Sequence, residues 1–243
     1  FLVKPRIVVC VPAGVTQVEM RAVREASESA GARDVYLIEE PLAAAIGAGL
    51  PITQPTSNMI VDIGGGTTEV AVISMSDIVY AKSLRIAGDT IDTDIIRYVK
   101  QRHSLLIGER TAEMVKMLVA SACQEKDETI IEVKGRDLIE GIPKVIPLSS
   151  GEVTEAISGP VRAILETVKT ALEQTPPELA SDIVDRGIVL TGGGALLKNL
   201  DEVIRRETGL PVNIAEDPLS TVVRGSGIVF ENFGVYRDVL VRA

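Results

Sequence analysis

Two apolar, β-branched segments of this chain each run directly into three consecutive glycines, and no other feature constrains the fold as much. The first stretch reads VDIGGGTTEVAV over residues 61–72, and the second reads VLTGGGALL over residues 189–197. Glycine admits backbone angles and close approaches that a Cβ forbids. In the first stretch another apolar run follows at once, so Gly64, Gly65 and Gly66 form the tip of a hairpin. Exposed N–H groups in such a turn cradle anions, and Thr67 and Thr68 add hydroxyls; an ordinary hairpin loop with a capping Asp62 is the other reading. In the second stretch the pattern turns helical. Gly192, Gly193 and Gly194 there either let a ribose or α-phosphate approach a helix terminus or simply make a tight strand-to-helix connection. A phosphate hairpin paired with a nucleoside-holding turn points to an ATP-binding fold. The spacing is neither a P-loop nor a dinucleotide fingerprint, because GxxxxGK followed by Ser or Thr, and GxGxxG, are both absent.

The rest of the composition removes other classes. A formal net charge of −9 argues against a generally basic nucleic-acid surface. Cys10 and Cys123 are too few and too far apart for a disulfide scaffold and suit a reducing compartment. A lone His103 without a cysteine cluster argues against zinc. No apolar run reaches membrane-spanning length, and no signal-peptide pattern precedes the first strand. With three Phe, four Tyr and no Trp, the core must be aliphatic.

Along the chain, residues 6–11 read as a buried strand, and Thr16 with Glu19 makes a capping box for a helix whose stripe is Met20, Val23, Ala26 and Ala30. A strand over 35–38 and a small-residue helix over 42–48, opened by Pro41, complete a strand–helix–strand–helix unit. Strands over 59–63, 69–74 and 78–84 read as an antiparallel meander after a linker at 51–57. Helices follow over 92–100 and from a Thr111 cap to about Cys123, then strands over 129–133 and 144–147. Ser149 and Glu152 cap a long helix that Pro160 should break near residues 155–156, since proline offers no N–H to the preceding turn. A strand over 188–190 should lead into a helix running to Gly209; an edge strand over 212–215 and a final helix from Asp217-Pro218 follow, with the end after Gly234 peripheral.

Three further groups could do chemistry. Asp62 ends a strand beside the hairpin and could face Mg²⁺ or its water shell. Glu39 and Glu40 precede Pro41, where a carboxylate can position water or cap helix amides; of the two, Glu40 is the one expected to face a cleft. Glu113 and Lys116 stand three apart on a helix, within reach of a ribose or adenine edge or of each other as a solvated pair. Gly88 and Asp89 are either a small cleft segment or a plain turn.

Taken with CVPAGVTQVEMRAV (10–23), YLIEEPLAAAIGAGLP (36–51), IGERTAE (107–113), ALEQTPPELASDI (171–183) and RGIVLTGGGALLKNLD (186–201), the two glycine stretches resemble the actin–Hsp70–sugar-kinase superfamily, and within it the MreB family of bacterial actin-like cell-shape proteins. The resemblance covers nearly the whole chain. It implies an α/β, actin-like (ribonuclease H-like) two-lobed ATPase fold around ATP and Mg²⁺. Residues 1–56 would be the remainder of the first lobe, 57–90 the first part of the second lobe's core, 91–148 its inserted small subdomain, 149–230 the rest of that core and 231–243 a C-terminal tail. It implies that Asp62 and Gly64 to Thr67 form the second phosphate segment, with Thr68 beside it and Asp62 meeting the metal through water. Glu40, Asp62 and Thr67 would be catalytic, Glu40 by positioning the hydrolytic water. Gly88, Asp89, Glu113 and Lys116 would flank the nucleoside and Gly192 to Gly194 would form the adenosine segment. It further implies self-association into filaments, a cytoplasmic location with peripheral attachment to the inner membrane, with Phe1 and Leu2 near a membrane-inserting loop, and partners in cell shape and cell-wall synthesis, but no nucleic acid. The family's DLGTANT-like first phosphate segment does not occur in this sequence, so the chain reads as N-terminally truncated with an incomplete first lobe, and its ATP hydrolysis is expected to be weak or absent. Leu118 and Ala120 stand where the family has Glu and Gly. A soluble ATPase or sugar kinase of the same superfamily, and a catalytically inactive fragment, are the competing expectations.

Overall fold

The computed structural model describes residues 4–241; Phe1 and Leu2, and with them the expected membrane-inserting loop, lie outside the described residues. The chain opens with strand β1 (Arg6–Val11), helix α1 (Gln17–Ser29), strand β2 (Asp34–Glu39) and helix α2 (Glu40–Gly47). β1 and β2 pair in parallel, as a helical crossover between them requires. The α1 capping box forms as read: the Thr16 hydroxyl accepts from the Glu19 N–H, and the Glu19 carboxylate accepts from the Thr16 N–H. Only Met20 of the expected stripe is buried, with Val23 partly so; Ala26 and Ala30 are exposed, because the sheet beneath α1 is narrow and meets one turn of the helix.

The meander follows as strands β3 (Asn58–Ile63), β4 (Thr68–Ser74) and β5 (Asp77–Leu84), all antiparallel. Next come helix α3 (Gly88–His103), strand β6 (Leu105–Leu106), helix α4 (Glu109–Val119) and strands β7 (Ile130–Asp137) and β8 (Pro143–Ser149). Gly108, not Thr111, occupies the cap of α4, and the helix stops at Val119 rather than Cys123. Helices α5 (Ser150–Ala156), α6 (Ser158–Gln174) and α7 (Pro177–Arg186) follow. The break expected from Pro160 falls at Ile157: proline has no N–H for the Ala156 carbonyl four residues back, and the helix restarts at Ser158. Helix α7, with Pro177 in its first turn, has Ile183 as its one fully buried residue.

Strand β9 (Ile188–Thr191) leads into a 3-10 turn (Gly193–Leu196) rather than a continuous helix; helix α8 (Leu200–Thr208) begins only after Asn199 takes a left-handed conformation. Strand β10 (Val212–Ile214) and helix α9 (Thr221–Glu231) follow, with Asp217 and Pro218 in the turn before α9 rather than within it. A 3-10 turn (Arg237–Val239) and strand β11 (Leu240–Val241) close the chain. The end is not peripheral: β11 pairs antiparallel with β2, and Val239 and Leu240 are buried, because two apolar residues there complete a sheet.

The strands make three sheets, ordered β1-β2-β11, β10-β9-β3-β4-β5 and β6-β7-β8. The middle sheet is covered on both faces, and every residue of β4 is buried. Its alternation sends Met59, Val61, Ile63, Val70 and Val72 into one aliphatic core with α3, α4 and α6, and Ile60, Ala71 and Ile73 into a second core with α2 and α9. Helices α2 and α9 therefore form the layer shared between the first sheet and the middle one. They cross backbone to backbone: a Cβ on Gly225 would lie 1.8 Å from the Ala43 carbonyl oxygen, and one on Gly47 would lie 1.8 Å from that of Thr221. No helix among the described residues is long and apolar enough to cross a membrane.

Candidate nucleotide site

The β3–β4 hairpin closes tightly, the Gly64 N–H donating to the Thr67 carbonyl at 2.9 Å. Among the described residues the amides of Gly65, Gly66 and Thr67 have no hydrogen-bond acceptor, so the tip presents free donors. The hairpin's carbonyls are engaged by the start of α3: the Gly88 N–H donates to the Gly64 carbonyl at 3.1 Å, and the Asp89 N–H to the Gly65 carbonyl at 2.8 Å. Gly88 and Asp89, far away in sequence, are thus the first turn of a helix docked on the glycine tip.

Below the tip lies a cavity of about 550 Å³. Gly64 and Gly65, Gly88 and Asp89, Glu113 and Lys116, and Gly193 and Gly194 all line it, so the separately read motifs converge on one space. Its size falls within the range of small-molecule sites. Lys116 donates to Asp92 Oδ2 at 2.7 Å and to the Gly88 carbonyl at 3.2 Å, tying α4 to α3 along one wall. Lys116 therefore pairs with Asp92 rather than with Glu113. Burial pushes the Asp92 carboxyl above its ordinary range, and the ammonium of Lys116 pulls it back.

Several expected site residues stand elsewhere. Thr68 is fully buried and its hydroxyl donates to the Ile86 carbonyl at 2.7 Å, so the side chain braces the hairpin and offers nothing to a phosphate. Gly192 lies behind the cavity. At φ +78° it packs where a Cβ would come within 2.3 Å of the Ile63 carbonyl oxygen and 2.5 Å of Asp62 Oδ1, and it lets β9 turn against the end of β3. Gly66 and Thr67 are not part of the cavity lining. Glu40 and Asp62 are also outside that lining, close enough to each other for their charges to interact.

There the structure adds a residue that sequence reading assigned only to the outgoing strand. Asp62 and Glu69 are direct cross-strand partners, one on each arm of the hairpin. Burial, then repulsion from Glu40, raises Asp62 to about 6. Glu69 is raised to about 7, chiefly by burial, against the pull of the Ala13 N–H, which donates to its Oε2 at 3.4 Å. Burial also raises Glu40. Equal spacing from the Ile63–Thr68 closing pair was the available signal for the Asp62–Glu69 pairing. Met117 and Ala120, which also line the cavity, follow Glu113 and Lys116 at helical spacing; Leu196, Leu197, Lys198 and Leu219 come from turns whose placement only the fold decides. Among the described residues no cluster of three or more carboxylate, His or Cys side chains is arranged to hold a metal directly. Asp62, two residues before Gly64 and the free amides that follow it, is the carboxylate that would suit a hydrated Mg²⁺, which keeps several waters and takes one or two carboxylates.

The MreB/Mbl protein family model matches residues 1–237. The chain is 57% identical over 227 residues to the cell shape-determining protein MreB of Escherichia coli K12, covering 93% of this chain and 65% of that protein. It is 49% identical over 229 residues to the cell shape-determining protein Mbl of Bacillus subtilis, covering 94% of this chain and 69% of Mbl. The fold superposes on MreB5 of Spiroplasma citri bound to AMPPNP with a TM-score of 0.90 at 38% identity, covering 95% of this chain and 69% of that one. It also matches a subunit of the MamK double helical filament, with a TM-score of 0.75 at 23% identity over 94% of this chain and 69% of MamK, a likeness of fold. The chain spans about 65% of the length of the Escherichia coli relative.

Proposed function

We propose, since this chain belongs to the MreB/Mbl protein family, that it binds ATP with Mg²⁺ at the glycine hairpin and assembles into filaments as part of a bacterial actin-like protein that maintains cell shape by organising cell-wall synthesis. The observation that carries this reading is the convergence of the hairpin, the start of α3, the Glu113–Lys116 face of α4 and Gly193-Gly194 on one cavity of nucleotide size. A relative sharing this fold is bound to AMPPNP, and one is bound to ADP.

In this reading the free amides of Gly65, Gly66 and Thr67 receive the terminal phosphates, as backbone donors at a turn do. The nucleoside lies along α4 between Glu113, Lys116 and Met117 on one side and Gly193, Gly194 and Leu196 on the other. Asp62 would hold Mg²⁺ through water; the ion would neutralise phosphate charge. Glu40, at the N-terminus of α2, would orient the attacking water by accepting its proton, and the Thr67 hydroxyl would help hold that water. Slow hydrolysis belongs to the intact protein in this proposal. So do a cytoplasmic location at the inner face of the membrane and cell-wall synthesis partners.

Calorimetry of ATP with Mg²⁺ on this chain tests the binding, with Asp62→Ala beside it. Saturable one-site binding that weakens in the variant is expected. Absence of binding at millimolar ATP would overturn the nucleotide reading for this chain. Pelleting and electron microscopy with ATP test assembly separately, and a monomer at high protein and nucleotide concentration would overturn filament formation by it.

A further inference from the structure

A second cavity, of about 540 Å³, opens at the first sheet, and it shares no lining residue with the candidate nucleotide site. Arg24 of α1, Val35 and Tyr36 of β2, Phe233, Arg237 and Leu240 line it. Its chemistry is out of keeping with the rest of the molecule. The chain carries a net charge of −9 and only three Phe and four Tyr, yet this corner holds two guanidiniums and an edge-to-face pair of Tyr36 and Phe233 with ring centroids 4.7 Å apart. Among the described residues neither Arg24 nor Arg237 has a carboxylate within ion-pair distance. Arg24 Nε is buried from water and has no hydrogen-bond acceptor. A buried charged donor without an acceptor costs more than the hydrogen bond it could make, so an acceptor brought to Arg24 Nε from outside is favoured, and a carboxylate most of all.

The same corner offers main chain. β11 pairs with β2 on one side and closes the β1-β2-β11 sheet, leaving its outer edge unpaired among the described residues. Arginine and aromatic side chains are the residues enriched where proteins recognise other chains, and an exposed strand edge recognises an extended peptide by adding it as the next strand. We infer that this corner is a docking site for an extended acidic peptide segment of a partner protein. The segment lies along β11, one carboxylate meets Arg24 and Arg237, and an adjacent apolar side chain fills the space against Phe233 and Leu240. Charge complementarity selects this occupant: two guanidiniums without carboxylate partners repel basic segments locally and bind a carboxylate more strongly than a neutral acceptor. None of these groups touches the nucleotide cavity, so the inference stands apart from the nucleotide reading.

The test uses a fluorescein-labelled, end-blocked hexapeptide of alternating leucine and glutamate, with a leucine–lysine hexapeptide as its control, titrated into the chain by fluorescence anisotropy. The glutamate peptide is expected to bind, with affinity falling as salt rises, and the lysine peptide not to. Arg24→Gln and Arg237→Gln should each weaken binding by about ten-fold or more, with unchanged ATP binding. Because an arginine variant could alter the fold, the wild-type Arg24 Nε–H resonance is followed in the same titration, and it should shift on peptide addition. Equal binding of both peptides, or an unmoved Arg24 resonance, would overturn the inference. Sedimentation equilibrium in which Arg24→Gln dissociates a dimer of this chain, with no peptide effect, would overturn it in favour of a second copy as the occupant.

Discussion

At the scale of single residues, Glu69 shows what a hairpin does to side chains that look unremarkable in sequence. It lies seven positions after Asp62, yet the tight turn sets the two carboxylates opposite each other with Glu40 nearby. Gly64, Gly65 and Lys116, which line the cavity, stand in local patterns, whereas the burial of Glu69 and Thr68 goes with contacts to Ala13 and the Ile86 carbonyl, far away in sequence. Asp62, raised to about 6, and Glu69, raised to about 7, hold protons in the folded chain at pH values where the unfolded chain has released them. Their contribution to stability is therefore complete below about pH 4 and is lost as pH rises through about 7. In EDTA, the unfolding free energy from urea titrations should fall between pH 5 and pH 8. Glu69→Gln, which keeps an oxygen for the Ala13 N–H, should shrink that fall by roughly 2 kcal/mol; an unchanged slope would show that Glu69 is ionised in the folded chain throughout. A second residue-scale expectation concerns Lys116 and Asp92, whose side chains are 20% and 13% exposed. Lys116→Met should cost about 2 kcal/mol by leaving Asp92 unpaired, and adding Asp92→Asn should recover part of it. Simple additivity of the two substitutions in a double-mutant cycle would dissolve the pair.

At the scale of elements, what was readable follows what is local. Both capping boxes form as the sequence spells them, and the Pro160 break appears one residue after its expected place, because caps and prolines act on their own turn. The helix read after Gly194, through Leu197, Leu200 and Ile204 to Gly209, begins only after Asn199, since Ala122 and Ser121 reach across to bond Lys198 and Asn199 and hold that loop out of helical geometry. β11 was unreadable for the same kind of reason: two residues make a strand only when a partner edge is waiting. Helix α9 turns this distinction into a measurement. Gly225 and Gly227 are two residues apart in one helix, but a Cβ at Gly225 would strike the Ala43 carbonyl, whereas one at Gly227 meets nothing within 4 Å. Gly225→Ala should destabilise by about 2 kcal/mol or more, because the α2 crossing must open. Gly227→Ala should stabilise by about 0.5–1 kcal/mol through helix propensity. Equal effects in chemical denaturation would mean that the crossing is not close-packed in solution.

At the scale of the whole molecule, the candidate nucleotide cavity and the carboxylate cluster of Asp62, Glu69 and Glu40 share one hairpin but no lining residue. The cavity belongs to the middle sheet and the small β6-β7-β8 sheet with α3 and α4. The turn after β1 is bonded from the Ala13 amide to Glu69 and from the Gly14 amide to Glu39. A ligand at the hairpin tip can therefore be felt in two places by two routes. One passes through Gly64 and Gly65 into α3, whose first amides rest on their carbonyls. The other passes through Asp62 and its cross-strand partner Glu69 into residues 12–14. Hydrogen exchange separates them. ATP with Mg²⁺ should slow exchange both at residues 88–92 and at residues 12–14, by the free energy of binding distributed over the segments it orders. In Asp62→Ala, at an ATP concentration raised to restore saturation, protection should persist at residues 88–92 and be lost at residues 12–14. Loss at both would mean that Asp62 supports binding as a whole rather than one route of it, and retention at both would place the coupling in the shared α2–α9 layer, where Ala43 and Gly225 already join the two halves backbone to backbone.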